Sequence, residues 1–241
     1  MYDSAEVREL KEKGISQEAL KAIACVTMLL DHIGAMFVPT GYTLRIIGRI
    51  AFPIFCFLLA EGAHYTSNPK RYALRLAVGM LLSEIPFDLA FRERLTWQSQ
   101  SVMVTLLLGF LTVEAIQATS HNLLKLLAVA AGFGLAEFAH TDYGGSGVLL
   151  VVLFSQSRGK WWLQTVFVAV FACRLIYSGA VSVFGHRVPI EAFAVLAMIP
   201  IGLYSGKKCS SSRAIQWAFY LFYPVHLAVL MLIRMRLYGL Y

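Results

Sequence analysis

Residues 20–39 read LKAIACVTMLLDHIGAMFVP, an apolar run broken by two adjacent ionisable residues, Asp31 and His32. A run of about 20 such residues is the length at which an α-helix crosses the hydrocarbon core of a bilayer. An Asp at mid-membrane costs about 2.5–3.5 kcal/mol even on a lenient insertion scale. The two residues must therefore be paired, face a polar cavity or carry out chemistry. Lys21 precedes His32 by eleven residues, which puts it on the same helical face roughly 16 Å along the axis. Adjacent residues diverge by about 100° around a helix. Asp31 is thus expected to reach another helix or a polar network rather than bond His32.

The rest of the chain has the same character. It is 58% hydrophobic and 15% charged, and its apolar stretches leave no polar block for a separate soluble domain. The reading is an all-α, polytopic membrane bundle of about nine spans: 20–39, 44–66, 72–92, 101–119, 122–140, 145–157, 161–178, 188–205 and 215–235. Residues 1–19 form a cytoplasmic amphipathic lead-in, with Ser16 as N-cap and Glu18 in the first turn. Residues 20–241 form one transmembrane domain. The short, Gly-flanked sixth span is open to a tilted, re-entrant or bundle-buried placement. Net charge is +7, but the Lys and Arg lie in short connections between apolar runs. That pattern sets topology, with the N-terminus inside, and excludes nucleic acid as a partner. Cys25, Cys56, Cys173 and Cys209 are scattered without metal spacing, so no metal is expected.

Further ionisable residues sit at membrane depth. Arg45 and Arg49 are one helical turn apart at the outer end of the second span. Arg49 is the deeper, and calls for a buried carboxylate or an anionic ligand. Arg71 and Arg75, again one turn apart, open the third span at the inner surface; with Lys21 and Lys208 they suit a phosphorylated cytoplasmic substrate. Glu84 and Asp88 share a face of that span, either as partners for Arg45 and Arg49 or as substrate contacts. In the last span Tyr223-Pro224-Val225-His226 places a second imidazole near the depth of His32.

These residues carry a resemblance to the TraX family, named for the conjugation protein linked to N-terminal acetylation of F-type pilin. It is densest from Leu20 to Gly34. It continues through Arg45, Gly48 to Pro53, Glu61-Gly62, Arg71-Tyr72 with Arg75, Ser83 to Asp88, Asp142-Tyr143-Gly144 and Phe222 to His226. The first helix also resembles broader transmembrane acyltransferases, in which a basic residue precedes an intramembrane His by the Lys21–His32 spacing. The resemblance implies acetyl-CoA as acyl donor from the cytoplasm, its phosphates near the basic rim and its thioester near His32. Lys21 stands where those acyltransferases usually carry Arg, an ammonium in place of a guanidinium fork.

The expectation is an integral-membrane acetyltransferase of the bacterial cytoplasmic membrane acting on an amine or hydroxyl, either a peptide or a small molecule. His32 is the candidate catalytic base, with Asp31 beside it as the network residue of the catalytic pair. Lys21, Arg71, Arg75 and Lys208 are candidates for binding acetyl-CoA. Glu84, Asp88, His226, Arg49 and Tyr223 are candidates for the acceptor side. The alternative is a proton-coupled membrane transporter, with Asp31, His32, Glu84 and His226 as its relay. A third reading is an assembly factor whose charges only hold helices together.

Overall fold

The first helix begins where its sequence says it should. Ser16 Oγ accepts a hydrogen bond from the Ala19 N–H at 3.2 Å and caps α1, Gln17–Phe37. Leu20, Ala24, Met28 and Asp31 share its buried face, the i, i+4, i+8, i+11 stripe of an amphipathic helix. A computed structural model describes residues 14–38, 41–174, 180–183, 185–207 and 212–238 of the chain. Most of the expected lead-in, residues 1–13, lies outside these, as do Pro39, Lys208 and Cys209.

The expected second span is two helices, α2 (Tyr42–Gly48) and α3 (Ala51–Tyr65). Pro53 explains the break, because it lacks the N–H that would bond the Arg49 carbonyl in a continuous helix. α4 (Pro69–Arg92) starts on an Asn68 cap with Pro69 at its first position, and ends at Glu93 in a left-handed conformation. There follow α5 (Val102–Gln117), α6 (Asn122–Phe138), α7 (Gly144–Gln156) and α8 (Trp161–Arg174). A small antiparallel hairpin comes next, β1 (Ala180–Val183) and β2 (His186–Pro189), with Val181 opposite Val188. A 3-10 run, Ile190–Ala197, leads into α9 (Met198–Gly202) and then α10 (Arg213–Tyr238).

α7 is the central rod. It packs against α3, α5, α6 and α8, with Val148, Leu150, Val151 and Phe154 buried. Gly109 of α5 and Gly147 of α7 permit this approach: a Cβ on Gly109 meets Val151, and one on Gly147 meets Thr105 and Phe52. Small residues at helix crossings are how membrane helices associate, since lipid offers no hydrophobic drive between them. Outward faces remain apolar, as with Leu74, Leu81 and Ile85 of α4 or Leu123, Leu126 and Leu127 of α6.

The molecule is mostly helical, but nine spans is an overcount. Among the described residues, three segments are both long and apolar enough to cross a membrane: Gln17–Phe37, Tyr42–Tyr65 and Ala214–Tyr238. α4 has the length at 24 residues, but carries Lys70, Arg71, Arg75, Glu84, Asp88 and Arg92. α5, α7 and α8 have 16, 13 and 14 residues, about 20–24 Å at the helical rise, short of the roughly 30 Å core. The start of the expected 188–205 span is strand and 3-10 helix. Here Pro189 cannot extend an α-helix backwards, and a wholly α-helical chain is likewise corrected by the hairpin.

Candidate active site

Asp31 lies where α1 meets α2. Its carboxylate accepts from Arg45 Nη1 at 2.8 Å and pairs with Arg49 Nη2; Arg49 Nη1 also reaches Glu191 Oε1 at 3.2 Å. Two guanidinia thus meet two carboxylates, Glu191 arriving from the 3-10 run. Gly48 makes the approach possible, because a Cβ there collides with the Asp31 side chain. Buried ions are tolerated only when their charges balance and their hydrogen bonds are made. Of this group, Glu191 Oε2 is buried with no hydrogen-bond partner among the described residues.

His32, one residue on, faces a different neighbour. Its Nδ1 is 2.8 Å from Nε2 of His226, and His226 Nδ1 is 2.7 Å from the Phe222 carbonyl of its own helix. Phe91 of α4 and Tyr223 of α10 set their rings edge-on to His32, with centroids at 5.2 and 6.2 Å. The His32–His226 contact joins α1 to α10 across 194 residues of sequence.

Two cavities flank this layer. The one at the Lys21 end holds about 500 Å³. Lys21, Arg75, Tyr72, Tyr220 and Tyr223 are among its walls. Arg75 is stacked between two of these rings, its guanidinium 5.2 Å from the Tyr72 centroid and 5.6 Å from that of Tyr220. Its Nε also donates to the Tyr220 hydroxyl at 3.3 Å. The second cavity, about 600 Å³, lies at the Arg45 end and is lined by Asp31, His32, Arg45, Arg49, Asp142 and Glu191. Met28, Phe55 and Val102 line both and form the partition between them. Asp142, in the connection before α7, lines the second cavity, where its side chain is exposed; the surrounding protein shifts its carboxyl upward, against the pull of Arg49.

The sequence-derived candidates divide accordingly. Asp31, His32 and Arg49 meet at the Arg45-end cavity, with His226 in contact with His32. Lys21, Arg75 and Tyr223 line the other cavity, so Tyr223 faces away from the expected acceptor side. Arg71 lines neither cavity; it is exposed at the start of α4, one helical turn before Arg75. Lys208 lies outside the described residues. Glu84 and Asp88 do not meet Arg45 or Arg49, and line neither cavity. Glu84 accepts from the Ser101 N–H at 3.2 Å and the Ser101 hydroxyl at 2.6 Å, at the start of α5. Asp88 accepts from the Thr96 N–H at 2.8 Å. Both carboxylates hold the α4–α5 connection, because Pro86 and the end of α4 bring them beside its unpaired donors. Glu191 and Tyr220 were not foreseen. Glu191 could have been: it is the lone carboxylate in the apolar stretch 188–205.

Comparison with known proteins identifies the family. The chain is 29% identical to "Probable fimbrial assembly protein FimC, serogroup H1" of Dichelobacter nodosus over 241 aligned residues, covering 90% of this chain and 95% of that protein. It is 28% identical to "Uncharacterized protein RP591" of Rickettsia prowazekii (strain Madrid E) over 161 residues, 64% of this chain and 62% of the relative. No solved structure gives a significant match. The family model described as TraX protein matches residues 16–234, a range that takes in both cavities and the His32–His226 layer: the chain belongs to the TraX family of membrane proteins.

Proposed function

We propose that this protein is an acetyltransferase of the bacterial cytoplasmic membrane. It moves an acetyl group from cytoplasmic acetyl-CoA to an amine or hydroxyl acceptor, a peptide N-terminus among the candidates. The supporting observation is the pair of cavities entering from opposite ends and separated at Met28, Phe55 and Val102, with His32 just beyond the partition. A basic, tyrosine-walled cavity suits a nucleotide with phosphates: Lys21 and Arg75 supply charge, and the rings supply faces for stacking. A pantetheine-length arm covers the roughly 16 Å from Lys21 to His32. His32 takes the acceptor's proton as the acceptor attacks the thioester carbon. The C–S bond then breaks, and the proton passes to the departing CoA thiolate. The acceptor-side wall sets Asp31, Asp142 and Glu191 against Arg45, Arg49 and Arg92, so charge there is balanced, and the acceptor attacks as a neutral amine or hydroxyl. The fimbrial name of the relative from Dichelobacter nodosus fits a pilin-like peptide as acceptor.

The decisive experiment is equilibrium binding of labelled acetyl-CoA to the purified protein in lipid nanodiscs. Binding is expected in the wild type, lost in a Lys21→Glu, Arg75→Glu double variant and retained in His32→Ala, which no longer releases CoA. A wild type that does not bind acetyl-CoA ends this reading. The same opposed cavities around a histidine pair also favour a proton-coupled transporter. Its mark is solute uptake into proteoliposomes that is indifferent to acetyl-CoA and sensitive to His32→Ala.

A further inference from the structure

We propose that His226 is a positioning residue that dictates which nitrogen of His32 is basic. The inference deepens the acyl-transfer reading and rests on it. The Phe222 carbonyl can only accept, so His226 Nδ1, 2.7 Å away, carries a hydrogen. Among the described residues neither imidazole meets a carboxylate, and a neutral His226 then presents Nε2 as a bare lone pair. That Nε2 is 2.8 Å from His32 Nδ1. His32 Nδ1 must therefore carry the hydrogen and donate it, which leaves His32 Nε2 unprotonated.

The ring geometry supports a hydrogen bond rather than stacking. The two planes are 11° apart with centroids at 5.0 Å, while the facing nitrogens are only 2.8 Å apart. Nearly coplanar rings meeting edge to edge satisfy all three values; rings stacked face to face do not bring two nitrogens that close. The Nδ1 edge of His32 is thus covered by α10. Its Nε2 is the nitrogen left for the cavity that His32 lines.

The consequence is catalytic. As the acceptor's lone pair bonds to the acetyl carbon, its proton goes to His32 Nε2. The positive charge that develops is shared through Nδ1–H into His226, whose own N–H points at the Phe222 carbonyl. When the C–S bond breaks, the sulfur keeps the electron pair and takes the proton, and both imidazoles return to their starting forms. Without His226, the His32 hydrogen is free to settle on Nε2, and the base is lost from the cavity face.

The test is nitrogen NMR of histidine-labelled protein in nanodiscs, where protonated and bare imidazole nitrogens resonate far apart. The chain has six histidines, and His32 is assigned by its disappearance in His32→Gln. Expected in the wild type is a His32 with Nδ1 protonated and Nε2 bare. His226→Gln keeps that pattern, because its amide oxygen reaches the former Nε2 position and accepts. It retains CoA release within about tenfold, whereas His226→Leu shifts the hydrogen to Nε2 and loses about a hundredfold or more in kcat. The KM for acetyl-CoA stays unchanged, since the donor cavity is on the other side of the partition. If the Leu variant does not fold, His226→Asn replaces it, its amide stopping short of His32. A wild-type His32 with hydrogen on Nε2, or a Leu or Asn variant with wild-type tautomer and kcat, overturns the proposal. The expected tautomer in a protein that never turns over acetyl-CoA overturns the acyl-transfer reading alone.

Discussion

Asp31 accepts from two guanidinia that have few other partners at that depth. Removing it leaves Arg49, 9% exposed, facing Glu191 alone. Breaking a buried pair from one side costs about 3–5 kcal/mol, because the remaining charge stays desolvated. Asp31→Ala also strips Arg45 of its carboxylate and is therefore expected to lower the thermal midpoint in detergent sharply, and Asp31→Ala with Arg45→Met, which keeps the Arg49–Glu191 pair, to recover part of it. Equal midpoints for the single and double variants argue against the pairing. Asp142 gives a pH-dependent counterpart. The surrounding protein raises its folded carboxyl above the roughly 3.9 of an unfolded Asp, by a modest amount because the side chain is exposed to solvent in the cavity. The folded state thus binds more protons between these values, and stability falls as pH rises through that window, then levels off. Asp142→Asn should match the wild type near pH 4 and exceed its midpoint above pH 6. A constant difference across the range contradicts a raised Asp142. Individually, Asp31, His32 and Arg49 were legible in the sequence, since each is costly in an apolar run. Their pairings were not: Glu191 lies 142 residues from Arg49, and the sequence offered Glu84 and Asp88 as the partners of Arg45 and Arg49, whereas the fold places those two beside Ser101 and Thr96.

At the scale of elements, the site depends on the break between α2 and α3. It lets Arg45 and Arg49 leave one short helix toward Asp31 while α3 continues along the bundle. Gly48 sits at that crossing with no room for a methyl group beside Asp31. Gly48→Ala is expected to force α1 and α2 apart, weaken the Asp31 pairs and lower the midpoint, with a larger loss for Gly48→Val. A helix of this kind is where sequence reading succeeds and fails together. The apolar period located α1 and α4 to within a few residues, with Ser16 marking the start of α1. The shortness of α7 was visible, but hydropathy alone could not tell a full span from a shorter buried helix such as α5, because both are apolar all round. What separates them is length against bilayer thickness and the company of neighbouring helices, which only the packed structure supplies.

At the scale of the whole molecule, the two cavities impose a sealing problem. Together they hold roughly 500 and 600 Å³ on either side of Met28, Phe55 and Val102, and His32 lines only the second. On the proposed acyl-transfer reading, a thioester bound beside Lys21 crosses this partition to react, and the partition stays dry when no substrate threads it. Apolar constrictions achieve this by excluding water. Replacing Phe55 and Met28 with Ala vacates far more than the roughly 30 Å³ that one water occupies, and should join the cavities into a wet path. Proteoliposomes of that double variant, loaded with a pH-sensitive dye, are expected to dissipate a proton gradient faster than wild type. Phe55→Trp acts in the opposite sense: it narrows the partition, so acetyl-CoA binding persists while CoA release falls. Gradient decay indistinguishable from wild type in the double variant means that other residues seal the path. Unimpaired turnover in Phe55→Trp means that the acyl group reaches His32 by another route.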